Sequence, residues 1–519
     1  MLPPLIQALL DPLSYPERPA EVNLRQTHIS YLFFTPDFVY KVKKSVNFGF
    51  LDFTSLYKRL FYCNEELRLN RRLAPGVYIG VAGITYENGQ AKVGGEGEPV
   101  EYAVKMKRLP EASILEKMLE EDKVTEKEVI RIAEKIAEFH KDAQTNERIS
   151  SFGLPQIIRN NTEENFIQTI DAIDMTISKH TFDRIKEYTH EFISKNERLF
   201  LKRAKDGFIK DCHGDIHCEH ISIADGINLI DCIEFNERFR FSDTVADIAF
   251  FSMDLDYHNR ADLSRLFDSR YFSLSKDTEG VALLDFYKCY RAYVRGKVAG
   301  FKSFEPEVTD KEKGAALLDA KFHFHLSKLY ATGGFRPALI IIMGLSGTGK
   351  TTIAEELSRD FSLIRLSSDS IRKELAGIPI EEKRIEEFKK GIYSEEFTNR
   401  TYRALIERGI TYLKNGRSVI LDATFSKQKH IEELKTALRG ITADFHIIRC
   451  AAGDDAVKER ILGRCFEKNK AGTAVSDADW QIYLKQKASF EPVTEPHLTV
   501  NSELPVNESV AAIIGKIFD

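Results

Sequence analysis

One stretch constrains the fold of this chain more than any other. Residues 338–352 read A-L-I-I-I-M-G-L-S-G-T-G-K-T-T and contain the full pattern G-x-x-x-x-G-K-[S/T]. The β-branched apolar run before the glycines predicts a strand buried on both faces, and the run at 353–357 predicts a helix. Glycines at such a strand-to-helix turn are the context that a phosphate-binding P-loop requires. The stretch therefore predicts a nucleoside triphosphate site, with a chance glycine turn as the alternative.

The residue types of this loop suit the chemistry of phosphate binding. Gly344, Gly347 and Gly349 let backbone N–H groups approach phosphate oxygens without a Cβ in the way, and the helix N-terminus adds its positive dipole end. Lys350 is expected to reach the β- and γ-phosphates of ATP or GTP, and Thr351 to bind Mg²⁺. The other loop residues predicted to contact the nucleotide are Ser346, Thr348 and Thr352.

Composition excludes several classes of protein. At 519 residues the chain is too long for one hydrophobic core, so about two to four domains are expected. A net charge of −5 gives no nucleic-acid footprint, although a local basic face stays open, and no stretch has the roughly 18 apolar residues of a membrane span. Seven cysteines without framework spacing suit reduced thiols. We therefore expect a cytoplasmic protein without a membrane partner, and its oligomeric state stays open.

The pattern of residues 27–106 predicts a small sheet with one helix. A hairpin ends in Lys41, and the helix that follows carries Glu65 and Glu66. From a capping box at Thr125 and Glu128 onward, helical patterns dominate. Strands are predicted at residues 27–34, 38–42, 77–86 and 102–106.

A polar loop carries the second chemical signal. Residues 211–220 read D-C-H-G-D-I-H-C-E-H and precede a predicted hairpin that ends in Asp231. This part of the chain resembles the aminoglycoside phosphotransferase family, whose fold is that of protein kinases and whose catalytic loop runs H-G-D-x-x-x-x-N. The resemblance covers roughly residues 25–300 and rests on Lys41, Glu65 or Glu66, the hinge-like K-M-K-R-L at 105–109, His213-Gly214-Asp215 and Asp231.

The resemblance implies a two-lobed α+β kinase fold and transfer of the γ-phosphoryl group of ATP. It implies that Asp215 accepts the proton of a substrate hydroxyl, that Asp231 binds Mg²⁺, and that Lys41, held by Glu65 or Glu66, pairs with the phosphates. His220 stands where the family has asparagine, which makes it a candidate metal ligand and Mn²⁺ a candidate ion. No glycine-rich loop covers residues 28–35, so a pseudo-kinase that only binds a ligand is the open alternative.

Two other interpretations of the polar region remain open. Thiols and imidazoles within a short stretch suit zinc, and a buried polar loop with hydrogen-bonded histidines needs no ligand at all. Asp243, Asp247 and Asp254 further along either bind a cationic or polyol substrate, or cap helices and pair with Arg238 and Arg240. The candidate zinc ligands are Cys212, His213, His217, Cys218, His220 and Cys232.

The chain after the P-loop carries a third set of candidate residues. A predicted strand at 363–368 runs into D-S-I-R, and in open α/β sheets ligands sit at that end of the strands. Residues 337–519 resemble the P-loop small-molecule and polynucleotide kinases, a group that includes gluconate kinase, chloramphenicol phosphotransferase and zeta toxin. The resemblance implies that Asp369 is the base on the acceptor hydroxyl and that Arg372 clamps the acceptor or a phosphate.

Two further features of this half are consistent with a nucleotide site. Asp422 ends the predicted strand 418–424, where a Walker-B acid would reach the magnesium shell, although a strand-end aspartate can also be a cap. A fourth strand is predicted at 445–450. Arg460 and Arg464 share one face of a predicted helix, and the resemblance implies a lid over the triphosphate; a solvated surface pair is the alternative.

The sequence as a whole predicts two kinase-like domains. A protein-kinase-like, bilobal α+β domain is expected at 1–330, a glycine hinge at 331–336, and an α/β P-loop domain with a parallel sheet at 337–519. Both domains are expected to phosphorylate hydroxyl acceptors, either a small molecule or a nucleic-acid end, which fold analogy does not identify. The alternative is a single active P-loop kinase with a regulatory first domain. A motor-type ATPase lacks support because no arginine-finger or sensor pattern follows the Walker elements.

Overall fold

The structure is a computed structural model that describes residues 2–306, 308–379, 391–468 and 474–518, without the side chains of 464–468 and 474–479. Contacts divide the chain into two compact units that alternate along the sequence. The first unit comprises Met1–Ile167, Tyr188–Asp254 and Leu263–Arg291, and the second comprises Gln168–Glu187, Leu255–Asp262 and Ala292–Asp519. The boundaries 1–330, 331–336 and 337–519 stay predictions about independently folding domains.

The chain up to residue 304 combines strands with many helices. Its strands are β1 Asn23–Gln26, β2 Ser30–Phe34, β3 Phe38–Lys43, β4 Tyr78–Glu87, β5 Gln90–Val93, β6 Glu101–Lys107, β7 Ile209–Asp211, β8 Ile221–Ser222, β9 Asn228–Leu229 and β10 Phe241–Asp243. Its helices are α1 Pro4–Ala8, α2 Leu56–Asn70, α3 Leu115–Glu120, α4 Glu126–Asp142, α5 Glu147–Ser150, α6 Pro155–Gln168, α7 Lys179–Lys195, α8 Glu197–Lys205, α9 Glu237–Arg240, α10 Thr244–Tyr257, α11 Ala261–Ser275 and α12 Leu284–Phe304.

The rest of the chain alternates strands and helices. The strands are β11 Ala338–Met343, β12 Ile364–Ser367, β13 Val419–Asp422, β14 Asp444–Ala451 and β15 Leu498–Asn501. The helices are α13 Asp310–Ala331, α14 Lys350–Asp360, α15 Ser368–Leu375, α16 Glu395–Lys414, α17 Gln428–Ala437, α18 Asp454–Lys468, α19 Ala474–Ser489 and α20 Val506–Ile517.

The first unit contains a six-stranded antiparallel sheet in the order β1-β2-β3-β6-β4-β5. The predicted hairpin of β2 and β3 is confirmed, and the Thr35 hydroxyl accepts a hydrogen bond from the Phe38 N–H at 3.0 Å across its turn. Side chains alternate along β3, so Tyr40 and Val42 enter one apolar core. Lys41 and Lys43 therefore share the opposite face. Strands β1 and β5 were not predicted.

Helix α4 and the hairpin after the polar loop also follow the sequence pattern. Thr125 and Glu128 form the predicted capping box of α4. Strands β8 and β9 pair antiparallel, with Ile221 opposite Leu229, as the hairpin prediction requires. The hairpin lies within the segment between Asp215 and Asp231.

The second unit contains the predicted parallel sheet, with the strand order β12-β13-β11-β14-β15. The sheet is buried on both faces, which explains the uninterrupted apolar run of β11. Ile340 and Ile342 pack in one core with α14 and α20, whereas Leu339 and Ile341 pack in another with α16. The predicted strands β12, β13 and β14 are confirmed, and β15 was not predicted.

Two expectations about the class of protein can be compared with the described part of the chain. None of its helices is both long enough and apolar enough to cross a bilayer. Its cysteines, Cys63, Cys212, Cys218, Cys232, Cys289 and Cys450, are all free and buried, which agrees with the expected reduced thiols.

Candidate nucleotide and phosphotransfer sites

The P-loop lies between β11 and α14, and its glycines have conformations that require glycine. Gly344, Gly347 and Gly349 have φ values of 147°, 83° and 79°. A Cβ on Gly344 would lie 2.5 Å from the backbone oxygen of Cys450, and one on Gly347 would lie 2.9 Å from Cγ1 of Val457. Gly344 and Gly347 are therefore closely packed against Cys450 and Val457, and a side chain at either position would clash.

Lys350 and Thr351 begin α14 directly after the loop. The Lys350 Nζ donates to the Leu345 carbonyl oxygen at 2.9 Å, so this side chain lies across the loop. The Thr351 hydroxyl donates to Oδ2 of Asp422 at 3.2 Å. Strands β11 and β13 are parallel with Ile342 opposite Asp422, which brings this carboxylate beside the P-loop. The predicted Walker-B aspartate and the predicted magnesium-binding threonine are thus neighbours.

Arg365 contacts the same carboxylate, and sequence reasoning missed it. Its Nη2 donates to Oδ2 of Asp422 at 2.8 Å, and its Nη1 donates to Glu355 at 3.0 Å. Arg365 lies on β12, which pairs with β13 next to Asp422. The sequence signal for this contact is the alternation of side chains along β12. That signal identifies Arg365 only when the strand order is already known.

Asp369 and Arg372 lie on α15, at the carboxyl end of β12. The Asp369 side chain is exposed in the first turn of the helix. Arg372 is buried, and its Nη1 donates to the Ile392 carbonyl oxygen at 2.6 Å and to the Thr398 hydroxyl at 3.2 Å. Its Nε has no hydrogen-bond partner among the residues that the structure describes.

Arg460 lies against the P-loop from α18. Its Nη1 and Nη2 donate to the hydroxyl and carbonyl oxygens of Ser502 at 3.2 and 2.5 Å. A Cβ on Gly349 would lie 3.6 Å from Nη1 of Arg460. The predicted partner of Arg460, Arg464, has its side chain outside the described part of the chain.

The remaining loop residues differ in their surroundings. The Ser346 N–H donates to Oε1 of Gln486 at 3.2 Å, a contact that the sequence did not indicate. The buried Thr348 hydroxyl donates to the Leu345 carbonyl oxygen at 2.8 Å, whereas Thr352 is exposed on α14. Trp480 stacks on Tyr483, and both Trp480 and Leu345 pack against the cluster of Val457, Ile461 and Tyr483.

The first unit brings two lysines and three acids together. The Lys41 Nζ lies 2.5 Å from Oδ1 of Asp231 and 2.9 Å from Oε1 of Glu66. The Lys43 Nζ lies 2.7 Å from Oε2 of Glu66 and also contacts Glu234. Of the two glutamates left open by the sequence, Glu66 faces the lysines. Glu65 pairs instead with Arg68 on the surface. Sequence reasoning missed Lys43 and Glu234.

These groups shift one another's pKa values. Burial opposes the charge on Lys41, yet Asp231 and Glu66 raise its pKa well above the ordinary value. Desolvation likewise opposes the charge on Asp231, but Lys41 and His220 lower the pKa of this carboxyl. Burial raises the pKa of Glu234. Lys41 and Asp231 therefore form a charged pair at neutral pH.

The loop before β8 places Asp215 and His220 next to Asp231. The His220 Nδ1 lies 3.0 Å from the backbone oxygen of Asp215 and 3.3 Å from its Oδ2, while its Nε2 lies 3.7 Å from Oδ2 of Asp231. His217 also faces Asp215, with its Nε2 3.7 Å from Oδ2. Burial opposes protonation of His220, but Asp215 and Asp231 raise its pKa.

Asp247 of α10 fixes the backbone of this loop. Its carboxylate accepts the N–H groups of His213 at 3.0 Å and Gly214 at 2.7 Å, and it contacts Nε2 of His140 at 3.0 Å. Burial raises the pKa of Asp247, but His140 outweighs that effect and lowers it to about 2. Asp247 therefore holds the loop backbone, a role that neither of the two alternatives left open by the sequence describes.

The partners of the other acids agree with the capping alternative at Asp243 and differ from the expected arginine pairs. Asp243 caps α10 by accepting the Val245 N–H at 2.9 Å, and it pairs with Arg203, not with Arg238 or Arg240. Asp254 accepts the Cys218 N–H at 2.7 Å. Arg240 pairs with Asp211 and Arg238 with Glu164, so the expectation about the arginine partners was wrong.

The predicted set of three cysteines and three histidines does not form one zinc cluster in the described part of the chain. The Cys212 thiol donates toward the Ser242 carbonyl oxygen at 3.5 Å, and the Cys232 Sγ lies 3.3 Å from Nη2 of Arg72. His217 and His220 are instead grouped with Asp215. The spacing of the six residues in the sequence does not indicate the directions in which their side chains extend.

Comparison with known proteins finds relatives over nearly the whole chain. Uncharacterized protein Rv2004c of Mycobacterium tuberculosis is 31% identical over 475 residues, which cover 88% of this chain and 91% of that protein. Uncharacterized protein Mb2027c of Mycobacterium bovis matches with the same identity and coverage. Residues 339–493 match the AAA domain family, a span that includes the P-loop, Asp369, Asp422 and Arg460.

Several solved structures match about a third of the chain, and two of them are kinases. The APS kinase CysC of Mycobacterium tuberculosis, in complex with AMPPNP and APS, is 18% identical and covers 35% of this chain and 97% of its own, with a TM-score of 0.27. A gluconokinase from Sinorhizobium meliloti 1021 is 17% identical and covers 35% and 92%, with a TM-score of 0.26. Likenesses of this size carry no information about the reaction of this chain.

Proposed function

The chain belongs to the same protein family as the mycobacterial protein Rv2004c, and on that premise we propose that it is an ATP-dependent phosphotransferase with one transfer site in each unit. One observation carries the proposal most strongly. A P-loop with three left-handed glycines lies beside a threonine hydroxyl that is 3.2 Å from a strand-end carboxylate. This arrangement suits the binding of a nucleoside triphosphate and its metal ion.

The oxygen ligands in the second unit fit Mg²⁺. Thr351 and Asp422 offer a hydroxyl and a carboxylate, which are hard ligands of the kind that Mg²⁺ prefers. When bound, Mg²⁺ neutralises charge on the β- and γ-phosphates of ATP or GTP. The Lys350 ammonium and the loop N–H groups would bind phosphate oxygens, and Arg460 would supply a further cation from α18.

Asp369 and Arg372 are proposed to act on the acceptor. The exposed Asp369 carboxylate would take the proton of an acceptor hydroxyl as the γ-phosphoryl group is transferred. Arg372 is held by the Ile392 carbonyl and Thr398, and its guanidinium would orient the acceptor or a phosphate. The acceptor is either a small molecule or a nucleic-acid end with a free hydroxyl.

The first unit offers a second set of groups with the same tasks. Lys41 would pair with nucleotide phosphates and is positioned by Glu66, while Asp215 would take the proton of an acceptor hydroxyl. Asp231 is charged and offers carboxylate oxygens to Mg²⁺. This set supports the resemblance of the first unit to the aminoglycoside phosphotransferases.

His220 fits a metal-binding role through its Nε2. In the tautomer that donates from Nδ1 to the Asp215 carbonyl oxygen, the Nε2 lone pair is directed toward Asp231. An imidazole nitrogen is a softer ligand than an amide oxygen, and Mn²⁺ is a softer ion than Mg²⁺. We therefore expect the first unit to prefer Mn²⁺ and His220→Asn to shift the preference toward Mg²⁺. An unchanged metal preference would leave His220 without a role as a ligand.

A regulatory first unit is the second candidate function. The hairpin of β2 and β3 has no glycine-rich sequence to cover phosphates, and Lys41 is held by both Asp231 and Glu66. Under this alternative the first unit binds a ligand and only the second unit transfers phosphate.

The test is a screen of ATP consumption by the intact chain against sugars, aminoglycosides, nucleosides and 5′-hydroxyl oligonucleotides. Lys350→Ala should abolish turnover by the second unit, whereas the exposed Lys414→Ala is a charge-matched control and should not. Asp369→Asn should keep nucleotide affinity and lower transfer, since a base acts on the acceptor. Equal loss of affinity and transfer would show that Asp369 is structural.

Asp215→Asn separates the two candidate functions. Loss of transfer to one class of acceptor, with transfer to another class retained, is expected if both units are enzymes. If Lys350→Ala removes all ATP consumption and Asp215→Asn removes none, the regulatory alternative replaces the proposal for the first unit.

A further inference from the structure

We propose that Asp215, His217 and His220 form a transition-metal site in the first unit, and that Zn²⁺ in this site blocks transfer. Each residue offers one ligand atom, and the three atoms lie within 4.8 Å of one another. The blocking of transfer rests on the proposed role of Asp215 as the base. The binding of the ion depends only on the cluster itself.

The separations within the cluster suit a zinc ion. Oδ2 of Asp215 lies 3.3 Å from Nδ1 of His220 and 3.7 Å from Nε2 of His217. Zinc bonds of about 2.0–2.2 Å in tetrahedral geometry place neighbouring ligand atoms about 3.4 Å apart. Two imidazoles and one carboxylate also form a ligand set that zinc prefers. These two separations are therefore close to the spacing of the ligands around a tetrahedral zinc ion.

One side of the cluster is buried, and the other is partly exposed to solvent. The His217 side chain is 5% exposed, and its ring packs against His220 and Phe250 at centroid distances of 3.9 and 5.4 Å. The side chains of Asp215 and His220 are 30% and 15% exposed. Solvent can thus reach the ion position, and a water molecule can supply a fourth ligand.

Zinc and the proposed transfer arrangement would use opposite nitrogens of His220. Nε2 faces Asp231, whereas Nδ1 faces Asp215. A neutral imidazole has one nitrogen lone pair, so binding zinc through Nδ1 moves the ring hydrogen to Nε2. Binding also occupies the Asp215 carboxylate, which then no longer accepts a proton from the acceptor. The two states therefore exclude each other.

The experiment is a calorimetric titration of the intact chain with Zn²⁺ in the presence of Mg²⁺. His217→Ala removes a ligand, whereas His217→Glu replaces it with a carboxylate of similar reach that zinc also binds. His190→Ala is the control, because His190 pairs with Glu163. We expect zinc affinity to fall about ten-fold or more in His217→Ala and to be retained in His217→Glu and His190→Ala.

Thermal unfolding of each variant shows whether it is folded, and His220→Asn gives the same comparison if His217→Ala is not. Equal zinc affinity in the unchanged chain and His217→Ala, or equal loss in the alanine and glutamate variants, would overturn the proposal. Zinc should also inhibit transfer by the first unit in the unchanged chain and not in His217→Ala. If zinc affinities follow the expected pattern but Asp215→Asn changes no transfer, the metal site stands and the proposed function of the first unit fails.

Discussion

Replacing Gly347 by alanine measures how tightly the P-loop is packed, because the chain offers a matched glycine. Gly347 and Gly440 have nearly equal φ values of 83° and 78°. A Cβ on Gly347 would lie 2.9 Å from Cγ1 of Val457 and 3.3 Å from Cγ1 of Ile461. Nothing lies within 4 Å of a Cβ on Gly440. The two substitutions therefore share the backbone effect and differ in the contact.

The expected losses in the free energy of unfolding follow from the backbone effect and the contact. A left-handed conformation costs a residue with a Cβ about 1–2 kcal/mol, which applies to both variants. Forcing a methyl group against the buried Val457 adds about 1–3 kcal/mol of overpacking for Gly347→Ala alone. The free energy of unfolding should thus fall by about 2–5 kcal/mol in Gly347→Ala and about 1–2 kcal/mol in Gly440→Ala.

The fluorescence of Trp480 provides the assay. It is the single tryptophan of the chain and packs with Val457, Ile461 and Tyr483, next to the mutated loop. Urea denaturation followed at this residue should give a lower midpoint for Gly347→Ala than for Gly440→Ala. Equal midpoints would refute the reasoning, since they would mean that Val457 yields without loss of stability.

Three further predictions follow from buried ionisable groups. Glu66→Gln should lower the free energy of unfolding of the first unit by about 3–5 kcal/mol in urea denaturation, because it removes a charged partner from the buried Lys41 and Lys43. The control Glu65→Gln should change it little, since Glu65 pairs with Arg68 on the surface. Equal effects of the two substitutions would contradict the assignment of Glu66 to the buried lysines. Burial lowers the pKa of His325 from 6.5 to about 3. Below pH 6.5 the unfolded chain therefore binds a proton that the folded chain does not, and the free energy of unfolding of the second unit declines as the pH falls toward 3. The loss reaches about 2 kcal/mol at pH 5, and His325→Gln should flatten the thermal unfolding midpoint against pH over this window. Asp247→Asn should weaken the hold on the His213 and Gly214 N–H groups and lower transfer by the first unit, and full activity would show that the loop is fixed by other contacts.

The sequence predicts those parts of the molecule in which the signal is local. The parallel sheet follows from one apolar strand and a glycine turn, since only a strand covered on both faces has a run such as 338–343. Thr351 and Asp422 could be paired in advance because parallel strands end at the same edge of a sheet. The hairpin before Lys41 follows from alternation and a three-residue turn.

The rest depends on contacts between residues far apart in sequence. Lys43 and Glu234 are separated by 191 positions, and the alternation that places Lys43 on the same face as Lys41 does not indicate this partner. Glu65 and Glu66 are adjacent, so only the orientation of α2 decides which of them faces the sheet. Arg365 meets Asp422 through the pairing of β12 with β13, which the sequence does not specify. The edge strand β15 is short, with a mixed burial pattern that gives no clear periodicity.

The central claim is that the chain contains two nucleotide sites, each with its own lysine and its own acid. Calorimetric titration of the intact chain with a non-hydrolysable ATP analogue should give two sites. Lys350→Ala and Asp231→Ala should each leave one, provided that thermal unfolding shows both variants to be folded. A single site in the intact chain that disappears in Lys350→Ala would contradict the account, because it would show that the first unit does not bind nucleotide.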